Sequence, residues 1–259
     1  MRFRPCIDIH NGKVKQIVGS SLKDEGNSAS ENFVSEKSSV YYAGMFENKG
    51  LKGGHAIILN KKGTPEYDAS YKVCIDALKA YPGGLQVGGG INPENAKDFL
   101  DAGASHVIVT SYVFSGGHII QDNLEKISKA ASPEKLVLDL SCKRYDDAYY
   151  IMTDRWQNKT DAELSVKLLE ELSVYCDEFL IHAVDSEGKA KGPEKGVLDI
   201  LKSFSLRPVT YAGGIASYDD IRDIGKLAGG KVDITVGSAL DIYGGSLDTD
   251  EIIKICSQY

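Results

Sequence analysis

No uninterrupted apolar run in this chain approaches the ~18 residues that would mark a membrane-spanning helix. Basic excess is also missing: 30 Lys and Arg stand against 37 Asp and Glu, for a net charge of -7. That balance argues against a nucleic acid or membrane partner, which a basic surface normally meets, and gives no long-range attraction for an anion. Any phosphate must be held locally. Cysteine is scarce. The five present (Cys6, Cys74, Cys142, Cys176, Cys256) are odd in number, widely spaced and free of any C-x-x-C pair, so they read as reduced, mostly buried thiols. No histidine pair has the spacing of metal ligands on one helix, and no Ser-His-Asp order or nucleophile elbow occurs, so neither a metal nor a covalent nucleophile is expected. Tryptophan occurs once, at Trp156. The first residues enter a strand-like segment without a basic amphipathic leader; the expected setting is cytoplasmic, with an organelle form after leader removal as the variant.

What the chain does have is enough apolar content, 42 % of 259 residues, to bury one large core. Short β-rich runs alternate with helical stretches at the ~30-residue interval of a βαβ unit. Strands are expected near residues 3–7, 54–59, 85–87, 106–109, 136–140, 179–183, 208–212 and 233–236. Helices are expected over 93–102, 161–173, 195–203 and 218–227. Eight such units closing on themselves make an α/β fold, a TIM (β/α)8 barrel, in a single domain. A repeat of the pattern halfway divides it into half-barrels of about residues 1–130 and 131–259. Two segments break the period. Residues 20–39 are polar and read as a long mobile loop after the first strand, either a lid or a solvated insertion. Residues 146–153 read as a hairpin-like excursion leading to Trp156.

The repeat carries the chemistry. Gly88-Gly89-Gly90-Ile91 returns in the second half as Ala212-Gly213-Gly214-Ile215, each ending an apolar run and opening a helix. Each is followed by a second apolar run ending in a hydroxyl residue, Ser111 in one copy and Gly237-Ser238 in the other. Glycine lets backbone N–H groups approach an oxyanion closely. Taken singly, either cluster also serves as a tight strand-to-helix turn; recurrence with the same downstream partner favours two phosphate sites. Carboxylates repeat too, since Cys6-Ile7-Asp8 and Val137-Leu138-Asp139 both end a strand-like run on aspartate. Strands one and five face each other across an eight-stranded barrel, which suits a base and a protonated acid flanking one ligand. His182 and Asp185 are placed to reach the mouth. The other histidines read as satisfied structural groups.

The run Pro5-Cys6-Ile7-Asp8-Ile9-His10-Asn11-Gly12-Lys13-Val14, the Gln86-Val87-Gly88-Gly89-Gly90-Ile91 turn, Leu138-Asp139-Leu140-Ser141, Asp154-Arg155-Trp156-Gln157, Tyr211-Ala212-Gly213-Gly214-Ile215 and Val236-Gly237-Ser238-Ala239-Leu240 together resemble the histidine-biosynthesis half-barrel family over nearly the whole chain. Within it, the Asp-x-Trp-Gln stretch is most similar to the eukaryotic-type branch of isomerases acting on phosphoribosylformimino-5-aminoimidazole carboxamide ribotide. The resemblance implies an Amadori rearrangement of a bisphosphorylated substrate, with Asp8 as general base and Asp139 as general acid. It implies one phosphate at Gly89, Gly90 and Ser111, the other at Gly213, Gly214, Gly237 and Ser238, and Trp156 stacked on the imidazole carboxamide. No cofactor and no obligate protein partner are implied. The sister cyclase, which works with a glutaminase, and a barrel that only binds a phosphorylated ligand remain alternatives. Departures from the commoner pattern are Thr110-Ser111 in place of Gly-Ser, Ile58 in place of an acid, Gln16 in place of a basic residue that Lys15 would replace, and a missing threonine after Asp185.

Overall fold

The computed structural model describes residues 1–17, 29–186 and 192–259. Its central sheet contains eight parallel strands: β1 (Cys6–His10), β2 (Gly54–Ile58), β3 (Leu85–Gly88), β4 (His106–Val109), β5 (Leu136–Asp139), β6 (Glu178–His182), β7 (Val209–Ala212) and β8 (Val232–Ile234). Each pairs in parallel with the next in chain order. Closure comes from the segment before β1: Phe3 bridges Ile234, the Arg4 amide donates to the Ile234 carbonyl at 2.8 Å, and the Ile234 amide donates to the Arg2 carbonyl at 3.0 Å. The result is a TIM barrel, in which the carboxyl ends of all eight strands open on one face.

Eight α-helices among the described residues wrap the barrel: α1 (Ser39–Asn48), α2 (Pro65–Ala80), α3 (Ala96–Asp101), α4 (Gln121–Ala131), α5 (Val166–Leu172), α6 (Lys195–Ser203), α7 (Tyr218–Leu227) and α8 (Thr249–Cys256). Their starts are written in the sequence. Ser38, Thr64, Ser165, Ser217 and Asp248 each accept an amide of the first turn, Pro65 follows its cap, and Ser217 with Asp220 forms a capping box.

Strand alternation sorts side chains into two cores. Ile7, Ile9, Val87, Leu138, Ile181 and Tyr211 belong to the large core between sheet and helices. Ile108, Val137, Leu180 and Ala212 form a separate cluster with Ile57 inside the barrel. Because Val137 points inward, Asp139 two residues on does so too; because Ile7 and Ile9 point outward, Asp8 between them points inward.

The amino ends of the strands are closed by a buried polar layer. Arg4 Nη1 lies 3.0 Å from Glu178 Oε2 and Arg4 Nε 2.9 Å from Asp233 Oδ2. Gln86 Nε2 donates to Glu178 Oε2 at 3.0 Å and Thr210 to Oε1 at 2.9 Å. His55, fully buried beside Arg4, is kept neutral, its pKa pushed down to about 3 chiefly by desolvation.

Several expectations are corrected by the structure. β1 starts at Cys6, since Phe3 makes only the closing bridge, and runs on to His10, so Asp8 lies mid-strand. The extension arises because an antiparallel strand, Lys13–Ile17, folds back and pairs Lys15 with Asp8. Of the expected loop at 20–39, residues 20–28 lie outside the described residues, while Glu31–Val34 forms a further antiparallel strand on Lys13–Ile17. The expected helix at 161–173 begins only after the Ser165 cap; before it, Cys142–Tyr145, Ala148–Thr153 and Asn158–Glu163 build a three-stranded sheet beside the mouth.

Replacing Arg4 by Met leaves Glu178 buried without its cation and takes from Asp233 one of its two arginines, the other being the exposed Arg2. Arg4→Met is expected to cost about 3 to 5 kcal/mol of stability, measured by urea unfolding as a lower midpoint at unchanged slope.

Candidate active site

The mouth of the barrel is a cavity of about 1220 Å³ into which the loops after the strands contribute side chains and bare backbone. Among the expected residues, Asp8, Gly89, Gly90, Ser111, Asp139, Trp156, Gly213, Gly214, Gly237 and Ser238 line it.

The glycine turns are equivalent in conformation. Gly89 and Gly90 have φ of +106° and +68°, Gly213 and Gly214 +118° and +75°. A Cβ on Gly89 would sit 2.1 Å from the Ile58 carbonyl oxygen, and one on Gly213 2.7 Å from that of Ala183. Each turn therefore packs its backbone against the end of the preceding strand, where no side chain fits. The helix after the first turn starts later than expected, at Ala96 instead of Pro93, and the helix after the second starts at Tyr218 as expected. In α7 the Asp220 carboxylate accepts the Ala216 and Ser217 amides, and the Ser217 hydroxyl accepts the Asp220 amide. Those helix-start amides are consumed by capping, so an anion at Gly213-Gly214 is met by loop backbone.

The two carboxylates stand in different surroundings. Asp8 accepts the Cys6 thiol on Oδ1 at 3.0 Å, the i, i+2 geometry of one strand face. Beneath it Tyr243, held neutral by burial, donates its hydroxyl to the Cys6 carbonyl. Asp139 accepts Thr110 Oγ1 on Oδ2 at 3.0 Å and Ser141 Oγ on Oδ1 at 3.3 Å. Burial raises the Asp139 pKa above the ordinary carboxylate range; the charge of His182 and the two hydroxyls act the other way without cancelling it. A raised carboxyl pKa suits proton donation near neutral pH better than an ordinary one does.

Trp156 reaches the cavity from a turn in which Asp154, Arg155 and Trp156 are all left-handed, with φ of 50°, 54° and 66°. Such residues cost about 1–2 kcal/mol each. The turn is tied by Asn158 on Asp154 at 2.6 Å and by Arg155 Nη2, which crosses to the Leu59 carbonyl at 3.4 Å. The indole packs edge-on against His182, ring centroids 4.8 Å apart. His182 thus supports Trp156 and, when protonated, favours the ionised form of Asp139. Neither His182 nor Asp185 is among the cavity-lining residues; the Asp185 carboxylate accepts the Arg144 amide at 2.7 Å and fastens the three-stranded sheet to the segment after β6. The satisfied reading of the other histidines holds for His106 and His118, which pair with Asp177 and Asp161. It fails for His10 and for His55 Nε2, which find no partner among the described residues.

A family model described as histidine biosynthesis protein matches residues 2–248. The chain belongs to the histidine biosynthesis family. It is 48 % identical over 257 residues to a chloroplastic 1-(5-phosphoribosyl)-5-(5-phosphoribosylamino)methylideneamino-imidazole-4-carboxamide isomerase of Medicago truncatula, covering 98 % of this chain and 81 % of that protein. Isomerases of the same name from Neurospora crassa and Saccharomyces cerevisiae are 44 % and 41 % identical. They align with 94 % and 95 % of this chain and with 93 % and 94 % of their own lengths.

Within this histidine biosynthesis barrel, the structure brings in residues that motif reading passed over. Arg155, Lys61 and Lys62 line the cavity and bring positive charge to an otherwise acidic chain. Lys15 does not take the place of the basic residue that Gln16 displaced. It is not among the cavity-lining residues, and it pairs with Glu31. Gln16 itself is buried in the cavity wall, its Oε1 2.9 Å from where a Cβ on Gly237 would lie and its Nε2 without a partner among the described residues. Only three-dimensional register distinguishes the two neighbours. Gln16→Leu is expected to weaken inorganic phosphate binding at the Gly237 end about tenfold, the worth of one hydrogen bond to a charged group, while Lys15→Leu leaves it unchanged. Titration calorimetry measures both, and equal effects would contradict the assignment.

Proposed function

We propose that the protein is the isomerase of histidine biosynthesis that converts the bisphosphorylated aminoaldose, phosphoribosylformimino-5-aminoimidazole carboxamide ribotide, into its aminoketose. The observation that carries this reading is the doubled mouth: two equivalent glycine turns, after β3 and β7, at opposite sides of one cavity, with carboxylates from the opposing strands β1 and β5 between them. A substrate with a phosphate at each end matches that layout. Gly89, Gly90 and Ser111 hold one phosphate; Gly213, Gly214, Gly237 and Ser238 hold the other, with Gln16 beside it. Trp156 stacks on the flat imidazole carboxamide, and His182 backs the indole.

In the reaction, Asp139 gives its proton to the ring oxygen as the C1–O bond breaks and the nitrogen lone pair forms the C=N bond. Asp8 then takes the proton from C2, leaving an enolamine. Return of a proton to C1 and loss of the C2 hydroxyl proton complete the ketone. Protons given and taken balance and the electrons remain within the substrate, so this route calls for no redox partner. One barrel domain, with half-barrels of about residues 1–130 and 131–259, supplies an acid and a cradle from each half.

The reading includes action without an obligate protein partner, no nucleic acid partner, and a cytoplasmic setting, with an organelle form as the variant. No helix among the described residues is long and apolar enough to cross a membrane, and the relative in Medicago truncatula is chloroplastic. The relatives named as isomerases, at 41 to 48 % identity over nearly the whole chain, favour the isomerase over the cyclase. The test is turnover of the aminoaldose in the absence of ammonia and glutaminase. Wild-type protein is expected to turn over; Asp8→Asn and Asp139→Asn are expected to lose at least about a hundredfold in kcat, the usual worth of a general acid or base, with substrate affinity near wild type. Wild-type protein inert in this assay, but active on the aminoketose with ammonia, would establish the cyclase instead.

A further inference from the structure

Position 110 is where this chain departs from the Gly-Ser pair common after the fourth strand, and the structure gives the departure a use. β4 ends at Val109, and Thr110 turns its hydroxyl sideways onto the acid at the end of the neighbouring β5, while Ser111 opens a short 3-10 turn at the phosphate cradle. Thr110, Ser111 and Asp139 all line the cavity. A glycine here would leave that carboxyl oxygen without its shorter contact.

We propose that Thr110 is a positioning residue for the proton donor: its hydroxyl, donating to Asp139 Oδ2 at 3.0 Å, fixes the rotation of the carboxyl and assigns the transferable proton to Oδ1. This rests on the role of Asp139 given above. The bond from Ser141 to Oδ1 is longer, 3.3 Å, and a serine hydroxyl rotates freely between donating and accepting. The proton therefore sits on the less firmly held oxygen, facing the cavity. When Oδ1 releases it to the ring oxygen, Asp139 becomes a carboxylate in buried surroundings. The Thr110 O–H is already aimed at the oxygen where charge develops, and its hydrogen bond strengthens as the C1–O bond breaks. An interaction that gains strength only during the reaction appears in kcat and leaves KM alone.

The titration of Asp139 gives an independent readout. The titratable groups that act on it are His182 from β6 and Cys142 just beyond β5, and Asp8 from β1 lines the same cavity. None changes when Thr110 does. A hydroxyl that donates to the carboxylate favours ionisation, so its removal lifts an already raised pKa further.

The experiment compares Thr110→Val, of equal size, with Thr110→Ser and Thr110→Gly in steady-state kinetics across pH, beside Asp139→Asn. Thr110→Val is expected to lower kcat about tenfold, the order expected of a hydrogen bond to a charged group, with KM within about twofold. Its basic limb of kcat should move to higher pH. Thr110→Ser should restore both, and Thr110→Gly should behave like Thr110→Val. Wild-type kcat and pH limb in Thr110→Val, with Asp139→Asn inactive, would overturn the inference and leave the acid in place. Recovery in Thr110→Gly would overturn it in favour of backbone room. Full activity in Asp139→Asn would remove the acid itself.

Discussion

Closure of the sheet between the segment at Phe3 and Arg4 and the last strand at Ile234 is the contact on which the site depends. An open sheet of the same eight strands would put β1 and β5 side by side along a surface four strands apart. Closed into a barrel, it sets them face to face, and alternation on each strand turns Asp8 and Asp139 inward while Ile7, Ile9 and Leu138 go to the outer core. The buried Arg4 serves both ends of this arrangement. Its backbone closes the barrel, and its side chain joins Glu178 and Asp233 across the floor beneath the inner cluster of Ile57, Ile108, Val137, Leu180 and Ala212.

Electrostatics then act locally. The chain is acidic overall, so on the proposed reading anion binding falls to glycine backbone and to the few cations brought to the mouth by loops, Lys61 and Lys62 after β2 and Arg155 from the left-handed turn. The two carboxylates differ by their neighbours. Asp139 is desolvated, which raises its pKa, moderated by His182 and two hydroxyls; Asp8 is held by a thiol on a strand whose carbonyl Tyr243 pins from below. Nearly identical strand ends thus come to suit opposite roles.

Strand order, the glycine turns and both acids were legible in the sequence because each rests on local signals: apolar runs, turn residues and a repeat. The start of β1 was not. Its length is set by the antiparallel strand Lys13–Ile17, which local periodicity merges into the loop. The end of the strand Asn158–Glu163, from Asp161 on, reads as helix in isolation, since Asp, Ala and Glu are depleted in strands, and only pairing with Ala148–Thr153 decides it. Asp185 was misplaced because reach toward the mouth cannot be told from sequence; the Arg144 amide claims it. Lys15 and Gln16 exchange their expected places for the same reason, and the bond from Thr110 to Asp139 spans neighbouring strands that no local pattern joins.

The most direct test of the account is a crystal structure of Asp8→Asn with the bisphosphorylated aminoaldose bound. The account predicts one phosphate on Gly89, Gly90 and Ser111, the other on Gly213, Gly214, Gly237 and Ser238, the sugar C2 facing residue 8 and the ring oxygen within hydrogen-bond reach of Asp139. A ligand held by only one glycine turn, or a sugar turned away from both positions, would contradict it.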